Sequence, residues 1–536
     1  MTMNVYRLTM ITAALVMLAG CTLEPSYHRP ASGITTTWPQ GKAYRINNSL
    51  QPKNGVGTVT PAADIGWREF FTDPQLQQLI KISLNNNRDL RVAALNIEKA
   101  RAQYRIQRSD LFPSINGSGN ELVLHYPHGV SNVGGQSGAG TGSTSRNYSV
   151  GIGFTSYELD LFGRIRSLNH AALQQYFSEF EARKSTQISL VAEVANDYLA
   201  LLADQALLKL ASDTCDSRKA SYDLTRHSYD FGVATALDLS QSEQALDTAK
   251  AGIAQFTRQG AQDRNALQLL LGAAIPKTLS LKAGLDHEHL LETLPTGLPS
   301  DLIIRRPDVL AAEHQLIAAN ANIGAARAAF FPSISLTGNF GTASTQLDGL
   351  FANGSEAWSF SPKISLPIFA AGANVANLKL SHVEKNIFIS RYQKAIQVAF
   401  REVADALAAR GTLEHQLDAE NKLVHAAHTS YTLSDMRFRQ GVDNYLSVLD
   451  SQRALYTAQQ NLIGTRLSRL QNLVTLYKAL GGGWEANTVK SAGGAHQTGK
   501  ILPLQLQMKG SLDPNAKPRN NPLHNAGESS ESSAFD

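Results

Sequence analysis

Apolar residues in the middle of this 536-residue chain recur at helical rather than strand spacing. Ile188, Val191, Ala195, Tyr198 and Leu202 step by three, four, three and four, the spacing of a coiled-coil seam. No proline occurs between Arg164 and Ile275, so nothing interrupts a helix over 165–230. At 1.5 Å per residue such a helix is about 100 Å long, too long for a compact domain. Gly232 breaks the pattern and 235–272 resumes it, which predicts an antiparallel return. Ahead of this pair, Trp67 to Leu111 reads as helical with a break at Asn85-Asn86-Asn87, and Pro113 closes it. Ser114 to Tyr126 and Asn147 to Leu159 then read as strands around a loop rich in Gly, Ser, Asn and Thr.

The same plan occurs twice. Shifting the chain by 209 positions lays 222–272 on 431–481 without a gap, with 14 of 51 positions identical. Tyr222/Tyr431, Gly232/Gly441, Leu237/Leu446 and Gly272/Gly481 are among them. A shift of 219 pairs Asp89 with Asp308, Arg108 with Arg327, and Phe112-Pro113-Ser114-Ile115 with Phe331-Pro332-Ser333-Ile334. A unit of about 200 residues is far longer than a solenoid or propeller repeat. In the second copy, helix is expected over Asp308–Phe331, strands over Ser333–Thr342 and Ala357–Leu366, and long helices over 373–439 and 443–480. Gly441 turns the helices, and Gly481-Gly482-Gly483 ends them.

The ends of the chain read differently. Arg7 and the apolar run Leu8–Ala19 make a signal peptide too short to span a bilayer. Cys21 after Leu18-Ala19-Gly20 resembles a bacterial lipobox, which implies a covalent lipid on that thiol. Thr22 follows, not the aspartate of inner-membrane retention, so the resemblance implies outer-membrane sorting. Cys215, the only other cysteine, then has no partner for an internal disulfide. The expected segments are a signal peptide over 1–20, an extended tether over 21–64, repeats over 65–290 and 291–484, and a disordered polar tail over 485–536. A net charge of +4 with scattered basic residues leaves no nucleic-acid footprint.

Beyond the signal no segment reaches 18 apolar residues, so any membrane crossing has to use strands. Four strands cannot close a barrel, because the smallest known need about eight. Open sheet edges are not tolerated in lipid. Three chains pooling four strands each would supply twelve, and their long helices would form a second, helical cylinder. A periplasmic helical lipoprotein with a structural role is the alternative, but it accounts for neither the duplication nor the helix length.

Longer motifs sharpen this. Arg305-Arg306-Pro307-Asp308, Ala311-Ala312-Glu313, Ala318-Ala319-Asn320-Ala321 and Phe330-Phe331-Pro332-Ser333-Ile334 resemble the signature of outer-membrane efflux factors, the TolC superfamily. Leu159-Asp160-Leu161-Phe162-Gly163-Arg164, Leu366-Pro367-Ile368-Phe369 and the run Leu476–Trp484 resemble its lipoprotein branch, typified by OprM and NodT. The resemblance covers about residues 21–484. It implies a mainly α fold with a transmembrane β part. The assembly would be a homotrimeric twelve-stranded outer-membrane β-barrel continuing into a long periplasmic α-helical barrel. The implied function is the exit duct of a tripartite efflux pump for drugs or small toxic compounds. Its partners would be a periplasmic adaptor and an inner-membrane transporter, often of the resistance-nodulation-division class. A duct for type I protein secretion is the other reading within the fold, and the lipobox and motifs disfavour it.

Two sites follow. Around Gly232, Val233 and Leu237, and around Gly441 and Val442, the chain makes tight helix reversals, which the resemblance implies are adaptor-docking corners. Leu446 and Asp450, four apart on one helix face, would become rings under threefold symmetry, with Arg453 a turn further on. The resemblance implies that the aspartate and leucine at such positions form the periplasmic constriction. The first copy has Gln241 where the second has Asp450, so any acidic ring comes from one copy only. No catalytic or metal constellation emerges. His287/His289 lack a carboxylate-rich companion, and His425/His428 read as a solvated helix face. No enzyme activity and no cofactor beyond the Cys21 lipid are expected.

Overall fold

The computed structural model describes residues 22–44, 60–126, 143–279 and 299–488, with a few residues between 284 and 297. The expected signal peptide, Cys21, His287, His289 and residues 489–536 lie outside the described residues, as does most of the first strand–strand loop. The first helical stretch divides into α1 (Trp67–Phe70), α2 (Pro74–Asn86) and α3 (Arg88–Ser109). Asp73 starts α2 by accepting from the Gln75 and Leu76 N–H groups, with Pro74 at the first helical position. Asn87 starts α3 by accepting from the Leu90 N–H at 2.9 Å, which accounts for the break at Asn85-Asn86-Asn87. The further break after Phe70 has a packing cause. Phe70 stacks on Tyr477 with ring centres 4.0 Å apart, and Phe71 meets the same ring edge-on at 6.1 Å.

Then come β1 (Ile115–Tyr126), β2 (Ser143–Leu159), α4 (Arg164–Asp230) and α5 (Ala236–Leu271). The second copy supplies α6 (Asp301–Arg305), α7 (Pro307–Ala328), β3 (Ser333–Ser344), β4 (Glu356–Ser365), α8 (Ala373–Arg439) and α9 (Tyr445–Ala479). Helices α4 and α8 each run 67 residues, about 100 Å at 1.5 Å per residue. Among the described residues no helix is long and apolar enough to cross a membrane.

The four strands form one antiparallel sheet in the order β1-β2-β3-β4. Its middle seam, β2 against β3, joins the two repeats. The register sorts the residues onto two faces, because neighbours along a strand point opposite ways. One face carries Ile115, Val150, Ile152, Phe340, Trp358, Phe360 and Ile364, all exposed in the single chain. The other carries Asn116, Ser118, Ser149, Gly151, Gly153, Asn339, Gly341 and Ser359. An apolar outer band over a small, polar inner face is the pattern of an outer-membrane barrel wall. Water would not favour such a band on a monomer.

The main core lies where the middles of the long helices meet. Val194, Tyr198 and Leu199 of α4, Tyr392, Ile396 and Ala399 of α8, and Val474, Leu476 and Tyr477 of α9 are buried there. All five residues of the expected seam, Ile188 to Leu202, are buried. Truncating an aromatic ring at such burial costs roughly 3–5 kcal/mol. Tyr477 also donates to the Ile65 carbonyl at 2.6 Å, and Tyr198 donates to Asp73 at 2.7 Å.

The two ends differ from the sequence-based expectation. Residues 22–41 are extended but lie packed along the helices rather than acting as a free tether. Arg29 donates twice to the buried Glu313, at 2.7 and 2.9 Å, and Tyr27 donates to it at 3.0 Å. Asn320 donates to the Pro25 carbonyl, and Glu24 lies 3.0 Å from His170. Residues 485–488, expected to open a disordered tail, add a short ladder instead. The Trp67 and Arg68 N–H groups donate to the Glu485 and Ala486 carbonyls at 2.9 and 3.2 Å.

Beyond the core, α4 carries a separate stripe at seven-residue spacing, Asp204, Ala211, Arg218 and Thr225, all buried. Asp204 faces Asp263 of α5, and its Oδ2 has no hydrogen-bond partner. Burial and the Asp263 carboxylate push its pKa up to about 7. Asp197, two turns earlier on α4, is raised by burial and by Asp263 and Glu193. A raised pKa stabilises the fold where the group is protonated, and that contribution disappears as pH climbs through the raised value. The α4–α5 pairing should therefore weaken between about pH 4 and pH 7. Asp204→Asn should raise the thermal midpoint at pH 8 by a few degrees and flatten its pH dependence over that range. An unchanged profile would show that Asp204 stays ionised and solvated.

Candidate functional site at the helix corners

Both long hairpins turn by the same device. At the first corner the Gly232 N–H donates to the Tyr229 carbonyl and the Val233 N–H to the Ser228 carbonyl. At the second, Gly441 and Val442 donate to Phe438 and Arg437 in the same pattern. These are Schellman caps, which need a left-handed residue directly after the helix. Gly232 and Gly441 supply it with φ of +72° and +74°. A Cβ at either glycine would meet nothing within 4 Å, so the backbone angle rather than space demands glycine. The returning helices are capped too. Thr235 and Asp238 form a reciprocal capping box, and Asn444 accepts from the Ser447 N–H at 3.2 Å.

In a Schellman cap the apolar residue after the glycine usually packs back on its own helix. Here it does not. Phe231 and Val233 are each 82% exposed, and Leu237 and Val442 are also exposed. The second corner adds charge: Arg437 binds Asp443 at 2.6 and 3.0 Å, which holds that carboxyl below its ordinary pKa. Each tip therefore presents a small apolar surface on a rigidly capped turn.

The first turns of α9 separate two faces. Tyr445, Val448, Leu449 and Gln452 are buried against the other helices. Leu446 is 46% exposed and points away from that packing. Asp450 shares its exposed face, with Arg453 Nη1 at 3.8 Å. The structure thus brings Leu446, Asp450 and Arg453 together outside the seam. Leu446 is not coiled-coil core within its own chain. An exposed ion pair of this length contributes little to stability.

Sequence patterns missed the contacts holding this end of the hairpins together. Arg218 of α4 is buried, donates to the Ala245 carbonyl at 2.8 Å, and lies over the Tyr456 ring at 5.5 Å. Its Nε has no acceptor, and burial lowers its pKa. Ser217, beside it, is 3.4 Å from both the Tyr431 hydroxyl and Gln452 Nε2. Ser221, one turn on, donates to the Ser217 carbonyl at 3.2 Å. One α4 stripe thereby ties the first hairpin to the second beside Asp450 and Arg453. The available signal was the seven-residue spacing of Asp204, Ala211, Arg218 and Thr225.

A family model described as outer membrane efflux protein matches residues 79–273 and 298–482, one match per repeat. The chain belongs to that family. It is 51% identical over 472 residues to the toluene efflux pump outer membrane protein TtgC of Pseudomonas putida, covering 88% of this chain and 94% of that one. A solved membrane protein from Pseudomonas aeruginosa matches with a TM-score of 0.77 at 41% identity, covering 86% of this chain and all of the other. The open state of the Neisseria gonorrhoeae MtrE outer membrane channel matches with a TM-score of 0.77 at 39% identity, over 88% of this chain and 100% of that one. The chain is thus an outer-membrane efflux channel. Its fold is the subunit of a trimeric β-barrel that continues into a helical periplasmic barrel.

Arg218→Met keeps apolar volume while removing a buried, incompletely paired charge, so it should not lower the thermal midpoint. It should loosen the register between the hairpins and raise the resting conductance of the assembled channel in planar bilayers. A midpoint lower by several degrees, or an unchanged conductance, would assign Arg218 to packing alone.

Proposed function

We propose that three copies of this chain form the gated exit duct of a tripartite pump exporting drugs and small toxic compounds. The observation carrying this reading is the four-stranded sheet, apolar on one face and small and polar on the other, continuous with helices about 100 Å long. Such a chain can line a path through lipid and across the periplasm. The inner-membrane transporter, of the resistance-nodulation-division class, drives transport. A periplasmic adaptor bridges the two by seating its hairpins on the corners at Gly232, Val233, Leu237, Gly441 and Val442. The exposed valines after each cap support that role.

The closed end is formed by Leu446, Asp450 and Arg453. Three leucines at one level narrow and dewet the axis, and three carboxylates one turn above favour cations. Repulsion among the carboxylates is partly offset by Arg453 on the next turn. Lipidation of Cys21 adds an anchor. Thr22, the next residue, lies against Gly163 at the foot of β2, where a Cβ on the glycine would come within 2.9 Å of Thr22 Cα.

Replacing Leu446 and Asp450 together with Ala and Ser should raise conductance well above the resting value and make cells leaky to bulky antibiotics. Trimer formation should persist, since barrel and core are untouched. Unchanged conductance with the trimer intact would place the constriction elsewhere. Cys21→Ser should abolish palmitate labelling while the channel still inserts, because the barrel holds itself in the membrane. A free Cys21 thiol in the mature protein, found by mass spectrometry, would contradict the anchor.

A further inference from the structure

Each repeat has one helix that leads into its first strand, and the two helices carry different chemistry on the same face. Helices α3 (Arg88–Ser109) and α7 (Pro307–Ala328) are both 22 residues long and match end to end under the shift of 219. On α7, Asn320, Gly324 and Arg327 are four and three residues apart, so they share a face. That face holds the N-terminal segment. Asn320 donates to the Pro25 carbonyl at 2.7 Å, and Arg327 donates to the Leu23 carbonyl at 3.4 Å. A Cβ on Gly324 would come within 2.8 Å of Glu24 Cα.

The corresponding face of α3 carries Arg101, Arg105 and Arg108. The one N-terminal segment of the chain is already engaged on α7. All three arginines are exposed, and none has an acidic partner among the described residues. Of the nearest carboxylates, Glu98 lies one turn before Arg101, and Asp110 accepts from Gln107 at 2.8 Å. Other cations beside the strand ends are neutralised within the chain. Arg164 binds Glu158 at 2.8 and 2.6 Å, and Arg166 binds Asp160 at 3.1 Å. The dipole of α3 favours a cation in its last turn, which accounts for Arg108 but not for Arg101.

The place of this stripe says what it meets. Helix α3 ends at Ser109, and β1 begins at Ile115, a 72% exposed member of the lipid-facing band. From Arg101 to Arg108 the helix rises about 10 Å. The headgroup layer on each side of a bilayer is about 5–7 Å deep. Long arginine side chains along that rise reach this layer, and a guanidinium matches the oxygens of a phosphate two at a time. We propose that Arg101, Arg105 and Arg108 bind the phosphates of anionic phospholipids in the periplasmic leaflet and so set the depth at which the channel sits. The stripe continues the lipid-facing surface of the barrel from hydrocarbon into headgroups. This inference rests on the outer-membrane placement above and adds the lipid chemistry of its lower rim.

Native mass spectrometry of the full-length protein in detergent, with phosphatidylglycerol or phosphatidylethanolamine added, tests this. The wild-type trimer should retain phosphatidylglycerol, less so as ionic strength rises. Arg101→Gln, Arg105→Gln and Arg108→Gln together should weaken that binding roughly tenfold or more and leave phosphatidylethanolamine unchanged. The same three positions changed to Lys should keep it. Equal phosphatidylglycerol retention by wild type and the glutamine variant, in intact trimers, would overturn the proposal while the channel reading stands. Loss of binding in the lysine variant would overturn it too, since charge would not be the cause. Binding by wild type only after removal of residues 489–536 would make the acidic end of that segment the occupant instead of lipid. Wild type that appears only as single chains with its sheet intact would contradict the channel reading itself.

Discussion

The hydrogen-bonding capacity of two strand edges governs this molecule. Inside a bilayer an unpaired N–H or C=O costs several kcal/mol, because no water is present to satisfy it. The sheet has four strands and two open edges, and its apolar face is the face that lipid would meet. Such a sheet is unstable in lipid and unsuited to water. Only closure with further copies resolves both problems, and the duplicated sequence gives every edge the same kind of partner.

The helices follow from the same constraint. A barrel closed by three chains gathers three sets of paired hairpins beneath it. Each hairpin has to stay in register far from the membrane, and the buried core reaches only the middle of the long helices. Beyond the core, register falls to small and polar residues: Asp204, Ala211, Arg218 and Thr225 on α4, with Tyr431, Tyr445 and Gln452 opposite. Buried polar groups make a weaker joint than leucine would, but a more specific one. A joint of that kind near the corners leaves the tips able to shift while the core stays fixed. The proposed constriction at one end of the duct would draw on that division.

Much of this was legible in the sequence, and the remainder was hidden for physical reasons. Long helices announce themselves through proline-free runs and a three–four spacing, and glycine marks each reversal, so helix ends were read to within a few residues. Strands were found as strands, but the lipid-facing side was not, because glycine and serine alternate with the apolar residues too irregularly for a single strand to show a face. Only the register across four strands reveals it. The packing of residues 22–44 was invisible, since Arg29 and Glu313 meet across 284 positions and no local pattern encodes the contact. Residues 485–488 looked polar and aperiodic, yet their backbone groups pair with Trp67 and Arg68. The corner sites were legible from the repeat. Arg218 was not, because a charge inside a helix reads as a solvated face until its neighbours are known.

The central claim is that one chain is an incomplete wall. Native mass spectrometry of the mature protein in detergent tests it most directly, because it counts chains without assuming a shape. Three chains per particle, with no stable smaller species that keeps its β-sheet signal, is the expected result. A particle of one chain with the sheet intact would contradict the account, because a lone four-stranded sheet would then be satisfied without partners.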